Sequence, residues 1–294
     1  MILLKDSGLN KLEMTTILIV LSGVRPDALA KSACPVYSNL KQQGSYLNQA
    51  KTVFPSLTLP CHMSLFHSLP PIEHLVTDDS SIPPTNLTTS LIDHLSKMSL
   101  KVGSFYSTEQ LRNLSNPGSL SFSYYRNKDQ YEGEVDVDLV SKAISWINSE
   151  NPDFVFINLN QADEAGHQTG WMSPHYLRRV ENIDRILGLL VNERPPESHL
   201  FIVGDHGGHG FDHGTKLPED VQIPWMAVGP KIREGYQITR QVNIIDTIPT
   251  VAAVMGVKSH LDWKGSIITE IFKEQRQSAS SSRSFGSNDL IALR

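Results

Sequence analysis

The sequence predicts a layered α/β fold, with a mostly parallel central sheet flanked by helices on both faces. Two observations support this prediction: short apolar runs recur along the chain, and segments with helical periodicity separate several of them. Such continuous runs are typical of strands that are buried on both faces of a parallel sheet. The predicted strands are 16–21, 101–105, 153–159, 199–203 and 225–228.

The clearest predicted helix follows Ser173. Ser173 is a suitable N-cap, and Pro174 fits the first turn because its missing N–H would have no partner there. Apolar side chains then recur on one face until Pro195 ends the pattern. These side chains are Leu177, Val180, Ile183, Leu187 and Leu190. Two further helices are predicted over 137–147 and 87–98.

One main domain is predicted over 15–272. We expect residues 1–14 to form an N-terminal extension and the Ser-rich residues 273–294 to form a flexible tail, because neither has sustained apolar periodicity. The segment about 76–135 is short, so we expect only a small cap region over the functional site. No internal repeat divides the chain.

The composition indicates a soluble globular protein of 294 residues with a formal net charge of −5. Because no block of Lys or Arg is present, we expect no binding to nucleic-acid duplexes. Charges interrupt the first residues and no apolar run reaches the length of a membrane span, so no signal peptide or membrane partner is expected. With only Cys34 and Cys61, a disulfide framework is not expected, and we predict a cytoplasmic location.

The densest group of polar side chains is VGDHGGHGFDHGT, residues 203–215, which follows a predicted strand. It contains Asp205, His206, His209, Asp212 and His213. Carboxylates and neutral imidazoles are ligands for zinc-like divalent ions, and the glycines let a loop fold back around one. The segment therefore indicates a metal site, the alternative being a polar loop with solvated histidines.

A second segment, NLNQADEAGHQTG at 158–170, also follows a predicted strand. Asp163 and His167 are four residues apart, so on a helical turn they share one face and could bind the same ion. The carboxyl ends of parallel strands meet at one edge of the sheet, where open α/β folds place their sites. This position strengthens an otherwise weak spacing signal.

A third segment places Thr58 directly before an apolar, helix-like run in FPSLTLPCH. Backbone N–H groups and the macrodipole favour negative charge at a helix N-terminus, so the hydroxyl there could act as a nucleophile towards phosphorus. On this segment alone, a simple capping role for Thr58 is the favoured interpretation.

Together, FPSLTLPCH, SLPPIEH, DEAGH, DHGGHGFDHGT and IPWMAVGP resemble the alkaline phosphatase superfamily over residues 15–268. Within it they resemble the type I phosphodiesterase and nucleotide pyrophosphatase family. The resemblance implies hydrolysis of phosphodiester or pyrophosphate bonds in a small phosphate ester or nucleotide. A phosphomonoesterase or phosphonate hydrolase of the same superfamily is an alternative. A sulfatase is disfavoured, because no Arg completes the motif of those enzymes after Thr58 or Cys61.

The resemblance also implies two divalent ions, Zn²⁺ or alternatively Mn²⁺. It assigns Asp163, His167 and His213 to one ion. Asp205, His206 and Thr58 belong to the other, and Thr58 is also the nucleophile. His209 and Asp212 match no ligand position, so we expect them to support the ligands from outside.

One position departs from the family pattern. The first strand of the family ends in Asp-Gly, and that Asp binds the same ion as the nucleophile, whereas here Ser22 and Gly23 follow the strand. A neutral hydroxyl is a weaker ligand than a carboxylate, so the second ion should bind less tightly. Three interpretations follow: an active enzyme with a weak second ion, an enzyme with one ion or another metal, and an inactive protein that only binds ligand.

Overall fold

The computed structural model describes residues 14–80, 89–127 and 134–274. Eight strands form one sheet in this part of the chain. In chain order they are β1 (Thr16–Leu21), β2 (Gly44–Lys51), β3 (Val102–Tyr106), β4 (Phe122–Tyr125), β5 (Phe154–Leu159), β6 (His199–Gly204), β7 (Gln222–Val228) and β8 (Tyr236–Gln237). Their order across the sheet is β4-β3-β5-β1-β6-β7-β2-β8.

The sheet is mostly parallel, as predicted. Strands β4, β3, β5, β1 and β6 form consecutive parallel pairs. Strand β7 is antiparallel to both β6 and β2, and β8 pairs in parallel with β2. Strand β1 therefore lies inside the parallel region, between β5 and β6.

Helices cover both faces of the sheet. The α-helices of the described residues are α1 (Pro26–Lys31), α2 (Pro35–Gln43), α3 (Thr58–His67), α4 (Pro71–His74), α5 (Leu91–Lys97), α6 (Val135–Glu150), α7 (Gln161–Thr169), α8 (Pro174–Glu193), α9 (Pro218–Val221) and α10 (Thr247–Met255). Short 3₁₀ helices span Glu109–Asn113, Ile244–Asp246 and Thr269–Ile271.

Strand β1 shows how the two apolar layers arise. Successive side chains of a strand point to opposite faces, so Leu18 and Val20 join the layer that contains α3, α5 and α10. Ile17, Ile19 and Leu21 join the layer that contains α2, α6 and α8. All five side chains are fully buried, and this accounts for the continuous apolar run.

The predicted strands and helices are present, with shifted bounds. The Ser173 hydroxyl accepts a hydrogen bond from the backbone N–H of Tyr176 and caps α8 as predicted. Helix α6 is longer than the predicted 137–147, and α5 begins at Leu91 after an N-cap at Ser90. Most of the extension expected at 1–14 and of the tail expected at 273–294 lies outside the described residues.

The segment about 76–135 adds β3 and β4 to the sheet edge as well as residues beside the functional cleft described below. Within the described ranges, no helix has both the length and the apolar character needed to cross a bilayer.

Candidate active site

Polar side chains gather where the central parallel strands end. Leu21 of β1 lies opposite Leu159 of β5 and Gly204 of β6. Ser22 and Asp205 therefore follow their strands at the same level, and α7 begins directly after β5. The sheet register brings together segments that are far apart in the sequence, as the three motifs predicted.

Asp163, His167 and His213 form a compact group that could hold a metal ion. One ligand atom from each lies within 4.8 Å of the others. Oδ1 of Asp163 is 3.7 Å from Nε2 of His167 and 3.7 Å from Nε2 of His213. Two ligand atoms about 2 Å from one tetrahedral ion are about 3.3 Å apart, so small adjustments would complete the geometry.

The hydrogen bonds around this group fit a divalent cation. Oδ1 of Asp163 is buried and has no hydrogen-bond partner among the described residues. The Nδ1 atoms of the two histidines donate to backbone carbonyls, His167 to Phe211 at 3.0 Å and His213 to Ser56 at 2.9 Å. Each neutral ring therefore presents the Nε2 lone pair to Asp163, which is the orientation a metal ligand requires.

Burial raises the pKa of Asp163 to about 6, although His213 and His167 partly oppose the increase. Burial is also the main reason that the pKa of His213 is lowered, which favours the neutral ring. A cation bound between these groups would compensate the buried charge of Asp163. The three residues therefore fit the first of the two ions implied by the resemblance.

Gly23 lets Asp163 approach the end of β1. Its backbone has a φ of +69°, which an L side chain rarely adopts. A Cβ at this position would lie only 2.8 Å from Cα of Asp163. The glycine after Ser22 is thus required both by the turn and by the close packing of α7.

Thr58 is the first residue of α3, and its hydroxyl does not cap the helix. The N-cap is Leu57, which makes no side-chain capping bond. Instead, Oγ1 of Thr58 lies 3.1 Å from Nε2 of His206. Nδ1 of His206 donates to the Gly207 carbonyl at 2.8 Å, so in the neutral ring Nε2 accepts the hydrogen bond of the threonine.

His62 also holds Thr58 in place. Its Nδ1 donates to the Thr58 carbonyl at 2.8 Å, and its Nε2 lies 3.2 Å from Oδ1 of Asn158. All three residues are buried. We did not predict this role of His62, although its position four residues after Thr58 places both on one side of the helix.

Asp205 is surrounded by donors from the protein. Oδ2 accepts a hydrogen bond from the Ser22 hydroxyl at 2.9 Å, and Oδ1 accepts bonds from the backbone N–H groups of Gly23 and His206 at 3.1 and 2.7 Å. Nδ1 of His62 lies 3.6 Å from Oδ2. Burial alone would raise the pKa of Asp205, but His206, His62 and the Ser22 hydrogen bond outweigh it and lower that pKa.

Asp205, His206 and Thr58, the residues expected to bind the second ion, are less suited to a metal than the group of Asp163, His167 and His213. Asp205 already accepts three hydrogen bonds from the protein, and Nε2 of His206 is bonded to Thr58. The side chain at the fourth expected position, Ser22, donates to Asp205 instead of providing a carboxylate.

His209 and Asp212 lie in the loop beside the first group. Oδ1 of Asp212 accepts a hydrogen bond from the backbone N–H of His213 at 2.8 Å. Nδ1 of His209 lies 2.8 Å from Oδ1 of Asp220, whose Oδ2 accepts bonds from the backbone and the hydroxyl of Thr215. Both residues therefore stabilise the loop that carries His213.

A cleft of about 320 Å³ opens over Thr58 and the Asp163 group. Its described lining includes neither Lys nor Arg. The lining residues are Thr58, Asp79, Ser107, Thr108, Glu109, Gln110, Tyr125, Asn127, Asn160, Asp163, His167 and His213. Asp79, which we did not predict, accepts a 2.7 Å hydrogen bond from the backbone N–H of Leu59 in the first turn of α3.

The mostly parallel sheet, with these groups at its carboxyl edge, has the alkaline-phosphatase-like fold. The sequence pattern of the type I phosphodiesterase / nucleotide pyrophosphatase family matches residues 16–226. The chain belongs to this family.

Individual relatives are distant. Ectonucleotide pyrophosphatase/phosphodiesterase family member 1 of Homo sapiens is 24% identical over 214 residues, which cover 65% of this chain and 23% of the human protein. Phosphopentomutase of Clostridium novyi (strain NT) is 26% identical over 197 residues, covering 67% of this chain and 46% of that protein. The chain thus spans about a quarter to a half of these relatives.

Solved structures show the same fold. An inactive variant of murine ectonucleotide pyrophosphatase / phosphodiesterase 5, in complex with AMP, matches 89% of this chain and 100% of its own with a TM-score of 0.76 at 15% identity. The phosphonate monoester hydrolase of Agrobacterium radiobacter matches 90% of this chain and 78% of its own with a TM-score of 0.70 at 13% identity.

Proposed function

We propose that this protein hydrolyses phosphodiester or pyrophosphate bonds with Thr58 as the nucleophile and with a divalent ion, Zn²⁺ or Mn²⁺, at Asp163, His167 and His213. One observation carries the proposal: the buried Thr58 hydroxyl and the Asp163 carboxylate line the same cleft, and Nε2 of His206 lies 3.1 Å from the hydroxyl and 4.0 Å from Oδ1 of Asp163. A nucleophile and a cation site are thus adjacent.

The charge of the cleft supports a metal-dependent reaction. The described lining contains the carboxylates of Asp79, Glu109 and Asp163 but neither Lys nor Arg. A phosphate ester brings a further negative charge, and its binding there requires a cation. A divalent ion at the Asp163 group would supply that charge and polarise the phosphoryl oxygens.

The residues of the chain support a covalent mechanism. Oγ1 of Thr58 attacks phosphorus, its proton passes to Nε2 of His206, and the bond between phosphorus and the leaving oxygen breaks. Water then hydrolyses the resulting phosphoryl-threonine. The carbonyl of Gly207, which holds the proton on Nδ1 of His206, keeps Nε2 available as the acceptor.

The relatives support a small phosphate ester or nucleotide as the substrate. The murine structural neighbour is in complex with AMP, and its inactive form carries a threonine-to-alanine substitution. In this chain, Tyr125 gives the cleft an aromatic side chain beside Thr58 and the Asp163 group.

The proposal is tested with bis-p-nitrophenyl phosphate and added Zn²⁺ or Mn²⁺. We expect release of p-nitrophenolate that is lost with a chelator and falls about a thousandfold in Thr58→Ala. Thr58→Ser should keep part of the activity, and Thr108→Ala, which removes another hydroxyl from the cleft lining, should keep most of it. Equal turnover of wild type and Thr58→Ala would refute the nucleophile, and metal binding without any turnover would favour a ligand-binding protein.

A further inference from the structure

The two halves of the site differ in what their carboxylates contact. Oδ1 of Asp163 faces two imidazole nitrogens and has no hydrogen-bond partner in the described part of the chain. Asp205 directly follows β6 and accepts three hydrogen bonds from the protein, one of them from Ser22. Both carboxylates are buried, so each needs a partner for its charge, and within the described ranges the hydrogen-bond donors lie at Asp205.

We infer that the protein holds one divalent ion per chain, at Asp163, His167 and His213, and that the Ser22 hydroxyl keeps Asp205 as an internal anion that binds no ion. This inference rests on the metal site proposed above. It goes beyond the proposed function because it fixes the number of ions and names the residue that determines it.

The Asp163 group and Asp205 both carry a buried negative charge, but they differ in their hydrogen bonds. At the first group, Nδ1 of each histidine donates to a carbonyl, and the three ligand atoms face each other without a donor between them. At Asp205, an ion would have to displace the Ser22 hydroxyl from Oδ2 and the Thr58 hydroxyl from Nε2 of His206. In return it would gain Asp205, His206 and Thr58 as ligands, but Asp205 would be the only carboxylate among them, because Ser22 stands where the family pattern has an Asp.

The surroundings of Ser22 keep its hydroxyl pointing at Asp205. Ser22 is fully buried, and its backbone N–H donates to the Leu159 carbonyl of β5 at 2.9 Å. The next residue, Gly23, donates its N–H to Oδ1 of the same carboxylate. Ser22 and Gly23 thus donate hydrogen bonds to both oxygens of Asp205. These bonds stabilise the negative charge of the carboxylate, as a bound cation would.

The test is the stoichiometry of Zn²⁺ bound at equilibrium, measured by elemental analysis of the dialysed 294-residue chain. We expect one equivalent in the wild type, none in Asp163→Asn, and one in Asp205→Asn, because Asp205 is not a ligand. Ser22→Asp should gain a second equivalent, since it adds a carboxylate beside Asp205. Ser145→Asp, on the exposed side of α6, adds the same charge away from the site and should remain at one equivalent.

Two equivalents in the wild type would overturn the inference, and a fall to one in Asp205→Asn would identify Asp205 as a ligand of the second ion. No bound ion in the wild type would overturn it together with the proposed metal site. The wild-type measurement is decisive even if a variant does not fold. The stoichiometry does not depend on turnover, so one bound ion without hydrolysis would refute the proposed reaction and leave this inference standing.

Discussion

The hydroxyl of Ser22 donates a 2.9 Å hydrogen bond to Oδ2 of Asp205, a residue 183 positions later in the chain. Both side chains are fully buried. Hydrogen bonds to buried charged groups contribute more to stability than those between neutral groups, because a buried charge without donors is strongly unfavourable. The contact therefore stabilises the ion-free protein.

Ser22→Ala should lower the free energy of unfolding of the ion-free protein by about 1.5–3 kcal/mol at pH 7. Urea unfolding of both proteins in the presence of a chelator measures this difference in free energy. The hydrogen bond helps to lower the pKa of Asp205 in the folded state, so its contribution is present above the unfolded pKa of a carboxyl and is lost in more acidic solution. Ser145→Ala, on exposed α6, should change the free energy by no more than about 0.5 kcal/mol. Equal unfolding of wild type and Ser22→Ala would show that the hydrogen bond is not stabilising.

Gly166 provides the space that Trp171 needs beside the histidines. A Cβ on Gly166 would lie 2.5 Å from Cε2 of Trp171, whose ring packs edge-on against His167 at a centroid distance of 5.0 Å. Gly166→Ala should cost about 1–3 kcal/mol of stability. It should also weaken Zn²⁺ binding about 10 to 100-fold, because the tryptophan must move against the ligand it supports.

Gly188→Ala, within α8, is the matched control for Gly166→Ala. Among the described residues, the one atom within 4 Å of the added methyl is Cγ2 of Val36, at 3.3 Å, and alanine favours helix more than glycine does. We expect Zn²⁺ affinity to be unchanged and stability to change by less than about 1 kcal/mol. Unaltered Zn²⁺ affinity in Gly166→Ala would argue against the proposed support by Trp171.

Asp79 places a negative charge in the cleft, where the substrate phosphate must bind. Asp79→Asn keeps an oxygen that can accept the hydrogen bond from Leu59 but removes the charge. We expect KM for an anionic diester to fall about fivefold at low salt, equivalent to about 1 kcal/mol. Glu109→Gln is the control, because Glu109 is already paired with Arg112 at 2.9 Å and its loss should change KM less. An unchanged or higher KM in Asp79→Asn would contradict the expectation.

Much of the fold and of the site was predictable because parallel strands have a simple sequence pattern. The apolar runs of β1, β5 and β6 mark strands buried on both faces, and their carboxyl ends meet at one edge. Because Asp163 and Asp205 each follow such a strand, the sequence alone predicts that they lie near each other. Strand β2 was missed because its sequence, GSYLNQAK, is largely polar and its side chains are only partly buried.

Contacts made by single side chains were less predictable. The hydrogen bond of Ser22 to Asp205 depends on side-chain orientation in two distant segments, which no local pattern encodes. Asp79 belongs to no motif and was missed. Ser22 could be recognised as a departure from the family pattern, but only the structure shows what its hydroxyl contacts instead of an ion.

Metal binding should depend on pH through Asp163, whose pKa burial raises to about 6 in the ion-free protein. A Zn²⁺ ion must displace the proton from this carboxyl below that pH, so affinity should fall up to about tenfold per pH unit as the solution becomes more acidic than about pH 6. Isothermal titration calorimetry with Zn²⁺ between pH 5 and 7 measures this effect. Constant affinity across this range would contradict the raised pKa.

The free energy of unfolding of the ion-free protein should fall as the pH rises, whereas the Zn²⁺ affinity should increase. Because the folded pKa of Asp163 lies above the reference value of 3.8, the folded state binds more protons between these two values. The contribution of Asp163 is therefore fully present below about pH 4 and is lost as the pH rises through about 6. Asp163→Asn cannot titrate, so the difference in the free energy of unfolding between it and the wild type, measured with a chelator, isolates this residue. We expect the wild type to lose stability relative to Asp163→Asn between pH 4 and 7, and a difference that stays constant would show that the two states share one pKa.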